Sequence, residues 1–307
     1  MSTVHIDPTC DERERLERLY AGDLLVFTPR PSTVALCAFA REMIEEAFAP
    51  HDPLMAQYHM PVEEWVARFA PVKPAFIHHP RTKGLIRDVL AETGCDTEQT
   101  YMDVPRLRGV TSDGYLTSGV GYAHHPHRDT WYSAPMAQLN WWLPIYPFET
   151  TSSMAFHPRY WDEGVKNGSA SFNYYEWNAV GRKDASKHIK ADTRKQPKAE
   201  EEVELDPQVR LVCDVGGIIL FSAAQLHSTV PNTSGRARFS IDFRTVDLPD
   251  LQAGRAAPNV DSAPTGTSLR DFVRTSDQAA MPDDVVARYD VGASDGAVDK
   301  LLVFKPS

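Results

Sequence analysis

Residues Arg236-Ala237-Arg238-Phe239-Ser240-Ile241-Asp242-Phe243-Arg244 alternate between two kinds of side chain with a period of two. Ala237, Phe239, Ile241 and Phe243 fall on one face of an extended chain, and Arg236, Arg238, Ser240, Asp242 and Arg244 on the other. Successive side chains of a strand point to opposite faces, so this segment predicts a long strand with one apolar and one charged side. A helix would scatter both sets around its axis. Just upstream, Ile218-Ile219-Leu220-Phe221-Ser222 is a short apolar run. Between the two lie Leu226–Val230 and the turn residues Pro231-Asn232-Thr233-Ser234-Gly235. The order is strand, strand, turn, long strand, the texture of an antiparallel sheet.

The same texture begins near Thr100. Candidate strands are Tyr101–Val110, Ser118–Ala123, Ala137–Leu143, Ser153–Phe156, Arg210–Asp214, Ile218–Ser222, Leu226–Val230 and Arg236–Val246. Eight strands is the count of a double-stranded β-helix, the jelly-roll architecture that includes cupins, whose ligand sites lie in the mouth between two sheets. Residues 1–99 read as mainly helical support. Ser32 is placed to cap a helix whose buried face repeats at Leu36, Phe39, Ala40, Met43, Ile44 and Ala47. A second helix runs from Pro80 to Glu92, with Leu85, Ile86, Val89 and Leu90 inward and Gly94 to stop it. Between Asp23 and Thr28 lies a short strand. The expectation is an α+β chain of one domain: a helical layer, a jelly-roll core over 100–250 and a C-terminal extension over 251–307 with a short helix at Leu269–Thr275. Residues 166–206 interrupt the core with an aromatic cluster (Phe172, Tyr174, Tyr175, Trp177), a basic run (Arg182, Lys183, Lys187, Lys190, Arg194, Lys195, Lys198) and an acidic stretch from Glu200 to Glu204. Such a segment is either a solvated insertion or a lid whose aromatics cover a substrate.

Composition narrows the function class. A net charge of −10 disfavours a general nucleic-acid or anionic-membrane surface. Neither a secretory leader nor an 18-residue apolar run is present, so no membrane partner is expected. Cys10, Cys37, Cys95 and Cys213 form no C-x-x-C, which points to a reducing cytoplasm and makes the sequons at Asn167 and Asn232 chance matches. Gly119-Val120-Gly121 does not extend to a dinucleotide fingerprint, and no G-x-S-x-G, H-E-x-x-H or phosphate loop occurs.

One constellation carries chemistry. His127 and Asp129 form an H-x-D pair within His124-His125-Pro126-His127-Arg128-Asp129-Thr130-Trp131, and in a strand both would face one ion. His227 supplies a third donor. Two histidines and a carboxylate on one face of an octahedron is the ligand set of non-haem Fe(II) oxygenases. His125 is spaced to serve in place of His127, and a three-histidine site is a further alternative; His157 and His188 have no partner pattern. Arg238 follows His227 by eleven residues, with Ser240 two further on, a guanidinium and hydroxyl suited to a dicarboxylate.

From about Val120 to Arg244 the chain resembles the Fe(II)/2-oxoglutarate-dependent dioxygenases, specifically the phytanoyl-CoA hydroxylase-like group. The resemblance rests on His127, Asp129, His227 with Pro231-Asn232, and Arg238, in order and at sensible spacing. Two departures are Gly216-Gly217 where the family has Gly-Asp, and Ala155-Phe156-His157-Pro158 where it has Pro-Gly-Ser-His. The resemblance implies His127, Asp129 and His227 as iron ligands and Arg238, with Ser240 or Thr229, on the far carboxylate of 2-oxoglutarate. It places Asn140 and Trp142 at the cosubstrate pocket, on one strand face with Gln138. It implies O2 as cosubstrate, succinate and CO2 as products, and hydroxylation as the default outcome, with desaturation, epoxidation or ring closure starting from the same oxidant. A carboxylate at Asp129 disfavours halogenation. Trp131, Tyr132, Tyr174 and Trp177 suggest aromatic substrate walls, Gln138 a polar contact and Arg244 a receiver for an acidic group, on a small soluble metabolite such as an amino acid or natural-product intermediate. Two rivals stand at this point: a cupin-type metalloenzyme that does not use 2-oxoglutarate, in which Arg238 would be dispensable, and a non-catalytic binding member of the fold.

Overall fold

A computed structural model of the chain describes residues 2–119, 125–181, 194 and 196–292. Its strands are β1 (Val4–Ile6), β2 (Leu24–Phe27), β3 (Thr100–Met102), β4 (Arg106–Val110), β5 (Leu139–Pro144), β6 (Met154–Phe156), β7 (Val209–Arg210), β8 (Ile218–Ser222), β9 (His227–Thr229), β10 (Arg238–Asp247) and β11 (Val273–Arg274). The larger sheet runs β1-β2-β8-β5-β10-β3-β11, with β4 beside the first half of β10. The smaller sheet runs β7-β6-β9, and His127 bridges antiparallel to His227 on its edge. The chain is thus a mixed α/β molecule with a sheet-rich core.

Both faces of β10 are buried. Phe239, Ile241 and Phe243 enter the main apolar core on the helical side. Arg238 and Ser240, on the charged face, are buried as well. β5 divides its side chains the same way: Leu139, Trp141 and Leu143 join the main core, whereas Trp142 joins a second cluster with Met154, Phe156, Ile219 and Phe221 between the sheets.

The helices of the N-terminal layer are α1 (Glu12–Tyr20), α2 (Pro31–Phe48), α3 (Val62–His78) and α4 (Pro80–Glu92). The expected buried stripe of α2 and the bounds of α4 appear as read, but Ser32 does not cap α2. Arg30 is the cap residue: its N–H donates to Thr33 Oγ1 and the Thr33 hydroxyl donates to its carbonyl, both at 2.9 Å. Ser32 instead donates to the Glu92 carboxylate of α4. α3 was hidden from the sequence reading by Pro71 and Pro74 in its interior. Each interior proline costs about 3 kcal/mol. Burial of Trp65, Phe69, Val72 and Phe76 offsets this at about 2–3 kcal/mol per side chain. Trp65 and Phe69 pack on Phe48 of α2 and Phe239 of β10. Gly109 of β4 admits them, since a Cβ there would stand 3.0 Å from both rings.

Other boundaries shift. The expected strand Tyr101–Val110 breaks into β3 and β4 at Asp103-Val104-Pro105, and Arg210–Asp214 shrinks to β7. Much of the expected strand Ser118–Ala123 lies outside the described residues, as do His188 and most of the basic run. The expected helix at Leu269–Thr275 is a 3-10 turn, Ser268–Asp271, followed by β11, whose Val273 and Arg274 pair with Met102 and Tyr101 of β3. A helix, Leu248–Ala253, follows β10 at once, capped by Asp247.

Candidate metal centre and its chambers

The His127 N–H donates to the His227 carbonyl and the His227 N–H to the His127 carbonyl, each at 3.0 Å. This reciprocal pair sets the two imidazoles together, ring centroids 4.4 Å apart. Past Arg128 the chain enters a 3-10 turn, Asp129–Tyr132. The idea of His127 and Asp129 sharing a strand face is therefore corrected: the pair straddles a strand end, and the turn swings the carboxylate back towards the histidines. Asp129 Oδ1 lies 3.4 Å from His127 Nε2 and 4.0 Å from His227 Nε2. One ligand atom from each of the three residues lies within 4.8 Å of the others.

The protons are placed by the backbone. His127 Nδ1 is 2.7 Å from the His125 carbonyl and His227 Nδ1 3.0 Å from the Gln225 carbonyl. A carbonyl only accepts, so each Nδ1 carries a proton and each Nε2 is the nitrogen turned towards the cluster. Burial and the adjacent His127 hold His227 down at about 3, hence neutral. His125 thus contributes its carbonyl rather than a ring nitrogen to the cluster. Burial alone would raise the Asp129 carboxyl, but Arg244 and the two histidines overcome it and hold it well below the usual carboxylate range.

Arg244 does not stand ready for a substrate acid, as its place on the charged face had suggested. Its Nε and Nη2 each lie 3.4 Å from Asp129 Oδ2, and Nη1 lies 2.9 Å from Asp242 and 3.8 Å from Asp103. Arg108 clamps Asp242 with two bonds of 2.6 and 3.1 Å, and Arg106 pairs with Asp103. The chain of alternating charges holds Asp129 Oδ2 while Oδ1 faces the histidines. Arg244→Lys, which keeps the charge and loses the planar fork, is expected to weaken Fe(II) affinity about 10–100-fold in a direct metal titration. An unchanged affinity would remove Arg244 from the metal site.

Two cavities meet at the cluster. The inner one, of ≈ 90 Å³, is lined by His127, Asp129, His227, Asn140, Trp142, Thr229 and Arg238. Arg238 is buried there, and its Nε and Nη1 have no hydrogen-bond partner among the described residues; neither has Ser240 Oγ beside it. Its guanidinium lies 5.3 Å from the Trp142 ring, and burial lowers its pKa to about 10. A buried, unpartnered guanidinium costs several kcal/mol, which a carboxylate ligand would recover. The outer cavity, of ≈ 390 Å³, shares His127, Asp129, Arg108 and Arg244 with the inner one and adds Gln138, Tyr132, Phe172, Tyr174 and Trp177.

Trp131 leaves the list of substrate walls: it is fully buried, with its indole N–H on Asp261 at 2.7 Å. Arg128, which the sequence reading passed over, donates to the same carboxylate at 2.9 Å and to the carbonyls of Ala224 and Tyr160. Asp261 thus staples the residues on either side of Asp129 to the C-terminal segment. His157 is buried behind β9, with Nε2 3.0 Å from Ser228 Oγ.

Comparison with known proteins adds one assignment. The sequence profile of the phytanoyl-CoA dioxygenase (PhyH) family matches residues 34–240. No curated protein matches the chain. Among solved structures, EvdO2 from Micromonospora carbonacea var. aurantiaca complexed with 2-oxoglutarate is 11% identical, with a TM-score of 0.43 over 78% of this chain and 92% of that one. The epimerase SnoN in complex with Fe3+, alpha ketoglutarate and nogalamycin RO is 17% identical, with a TM-score of 0.38 over 85% of this chain and 98% of that one. AviO1 from Streptomyces viridochromogenes Tue57 is 14% identical, with a TM-score of 0.38 over 82% of this chain and 99% of that one.

Proposed function

Because the chain belongs to the phytanoyl-CoA dioxygenase family and is an Fe(II)- and 2-oxoglutarate-dependent oxidoreductase, we propose that His127, Asp129 and His227 hold the iron and that the reaction hydroxylates a small soluble metabolite. The observation that carries the reading is Arg238, buried with two nitrogens unpartnered among the described residues, which lines the same inner chamber as the cluster of two histidines and one carboxylate. The donor set fits a hard-to-borderline divalent ion with open positions. The two sheets, with His127 extending the smaller one, are read as a double-stranded β-helix in a single domain. A small substrate fits the bounded outer chamber; no described helix is long and apolar enough to cross a membrane. The four unpaired cysteines agree with a cytoplasmic setting.

When bound, iron and 2-oxoglutarate supply an oxidant made from O2 with release of succinate and CO2. The protein's part is positional. Arg238, with Ser240 and Thr229 as hydroxyl partners, binds the distal carboxylate of the cosubstrate and so fixes which end of it reaches the histidines. Trp142 and Asn140 wall that chamber. Arg244 keeps one oxygen of Asp129 engaged and leaves the other for the metal. Tyr132, Tyr174, Trp177 and Gln138 line the outer chamber, where they would orient the substrate's C–H bond towards the metal cluster. The test is turnover: purified enzyme with Fe(II), ascorbate and 2-oxoglutarate is expected to release succinate in step with O2 uptake, faster when its substrate is present. O2 uptake that proceeds equally without 2-oxoglutarate would favour the cupin-type reading instead.

A further inference from the structure

His127 and His227 are fixed by their shared backbone bridge, whereas Asp129 opens a four-residue 3-10 turn outside any strand ladder. The turn closes at Ser133, whose left-handed backbone (φ 64°) is an unfavourable conformation for a residue with a side chain. Something outside the turn must hold it. Residues 259–268 of the C-terminal extension run along it and bond to Arg128, Thr130, Trp131 and Ser133. Asp261 Oδ2 accepts from Arg128 Nε at 2.9 Å, and its Oδ1 accepts from the Trp131 indole N–H at 2.7 Å. Ser262 Oγ and Thr130 Oγ1 share a hydrogen bond of 2.7 Å. Ser133 is held twice: its hydroxyl donates to the Thr265 carbonyl at 2.8 Å, and its carbonyl accepts from the Ser268 N–H at 3.0 Å. The same segment reaches the wall of the outer chamber, where Thr265 donates to the Phe172 carbonyl at 3.0 Å and accepts from the Tyr174 N–H at 3.1 Å.

Arg128 carries the hold across to the second histidine. Buried beside Asp261, it also donates to the Ala224 carbonyl at 2.6 Å, next to Gln225, whose own carbonyl fixes the His227 proton. The chemistry at position 261 is demanding. Arg128 Nε, Trp131 Nε1 and the Val165 N–H (3.0 Å) are all donors, and a carboxylate offers them an acceptor on each of its two oxygens. An asparagine of the same shape would turn its NH2 on at least one of these donors.

Resting on the functional reading above, we propose that residues 259–268 form a strap that positions Asp129 for the metal, with Asp261 as its positioning residue. Linkage between binding and conformation is reciprocal, so metal at the cluster in turn stiffens the strap.

The test titrates Fe(II) anaerobically into the metal-free full chain and records amide hydrogen exchange by mass spectrometry with and without the metal. Asp261→Asn is expected to weaken Fe(II) affinity about tenfold or more, the effect of losing an outer partner of a metal site. Fe(II) is expected to slow exchange at the Thr265 and Ser268 amides in wild type and not in Asp261→Asn. Leu90→Ala, which opens the buried face of α4, lowers the melting temperature and leaves both readouts unchanged. Ser262→Ala removes one partly exposed hydroxyl and its bond to Thr130. It is expected to weaken Fe(II) binding several-fold, and it takes the place of Asp261→Asn should that variant not fold. Wild-type affinity in Asp261→Asn, or in Ser262→Ala where it stands in, would overturn the proposal. So would an equal loss of affinity in Leu90→Ala, or wild-type exchange at both amides that ignores Fe(II). Wild type that binds no Fe(II) would remove the ligand assignment itself and the strap's role with it, whereas tight binding by wild type and Asp261→Asn alike removes the strap's role alone.

Discussion

Asp129→Ala is expected to lose Fe(II) affinity by about 100-fold or more and to abolish succinate release. A four-ligand metal site in a small domain is worth about 10–16 kcal/mol, so one ligand of a set carries roughly 3 kcal/mol. The loss is compounded here because Asp129 is also a partner of half-buried Arg244. His227→Ala is expected to behave alike. The informative control is His157→Ala: this histidine is just as buried and is hydrogen-bonded to Ser228, next in sequence to His227, but it is absent from the metal-capable cluster. Its loss should lower thermal stability and leave metal affinity within a few-fold of wild type. Metal titration followed by elemental analysis of the desalted protein separates the cases. Wild-type iron content in Asp129→Ala would refute the ligand assignment.

Arg238→Met makes a sharper claim, because two of its effects run in opposite directions. Removing a buried charge usually destabilises by leaving its partner unpaired. Arg238 Nε and Nη1 have no hydrogen-bond partner among the described residues, and Asp242, the opposite charge that acts on it, is already clamped by Arg108 and Arg244. Substitution by an unbranched apolar side chain of similar reach should therefore leave the ligand-free protein as stable as wild type, or more so. Affinity for 2-oxoglutarate should meanwhile fall about 100-fold or more, the cost of roughly 3 kcal/mol for a charge pair that is never formed. Thermal melts with and without 2-oxoglutarate show both effects at once. Wild type gains stability from the ligand as RT ln(1 + [L]/Kd), and the variant should gain almost none at the same concentration. A variant that melts well below wild type yet keeps its ligand-induced gain would assign Arg238 a structural role.

The halves of the molecule differed in how openly the sequence displayed them. The alternation from Arg236 to Arg244 gave away β10 because burial on its apolar face imposes a period of two, and the donor residues on its other face were legible for the same reason. α3 was not legible, since Pro71 and Pro74 argue against a helix locally and the aromatic contacts that overrule them come from α2 and β10, distant in sequence. That omission hid one wall of the outer chamber, which Lys73 and Ile77 of α3 line. The H-x-D pair was recognised by its chemistry, but its geometry was misjudged. A turn, not a pleat, brings Asp129 to the histidines, and the turn is held by Asp261, whose distance along the chain no local pattern reveals. Arg244 shows the converse limit. Its place on the charged face was readable, whereas its partners depend on Asp103 and Asp129 arriving from two other segments.

The central claim is that one cluster and one buried arginine together hold iron and 2-oxoglutarate. It is tested most directly by anaerobic titration of the metal-free protein, first with Fe(II) and then with 2-oxoglutarate, while the visible spectrum is recorded. The account predicts a broad charge-transfer band that appears only after the second addition, is absent in Asp129→Ala, and needs about 100-fold more 2-oxoglutarate in Arg238→Met. Full iron loading without that band at any 2-oxoglutarate concentration would contradict it.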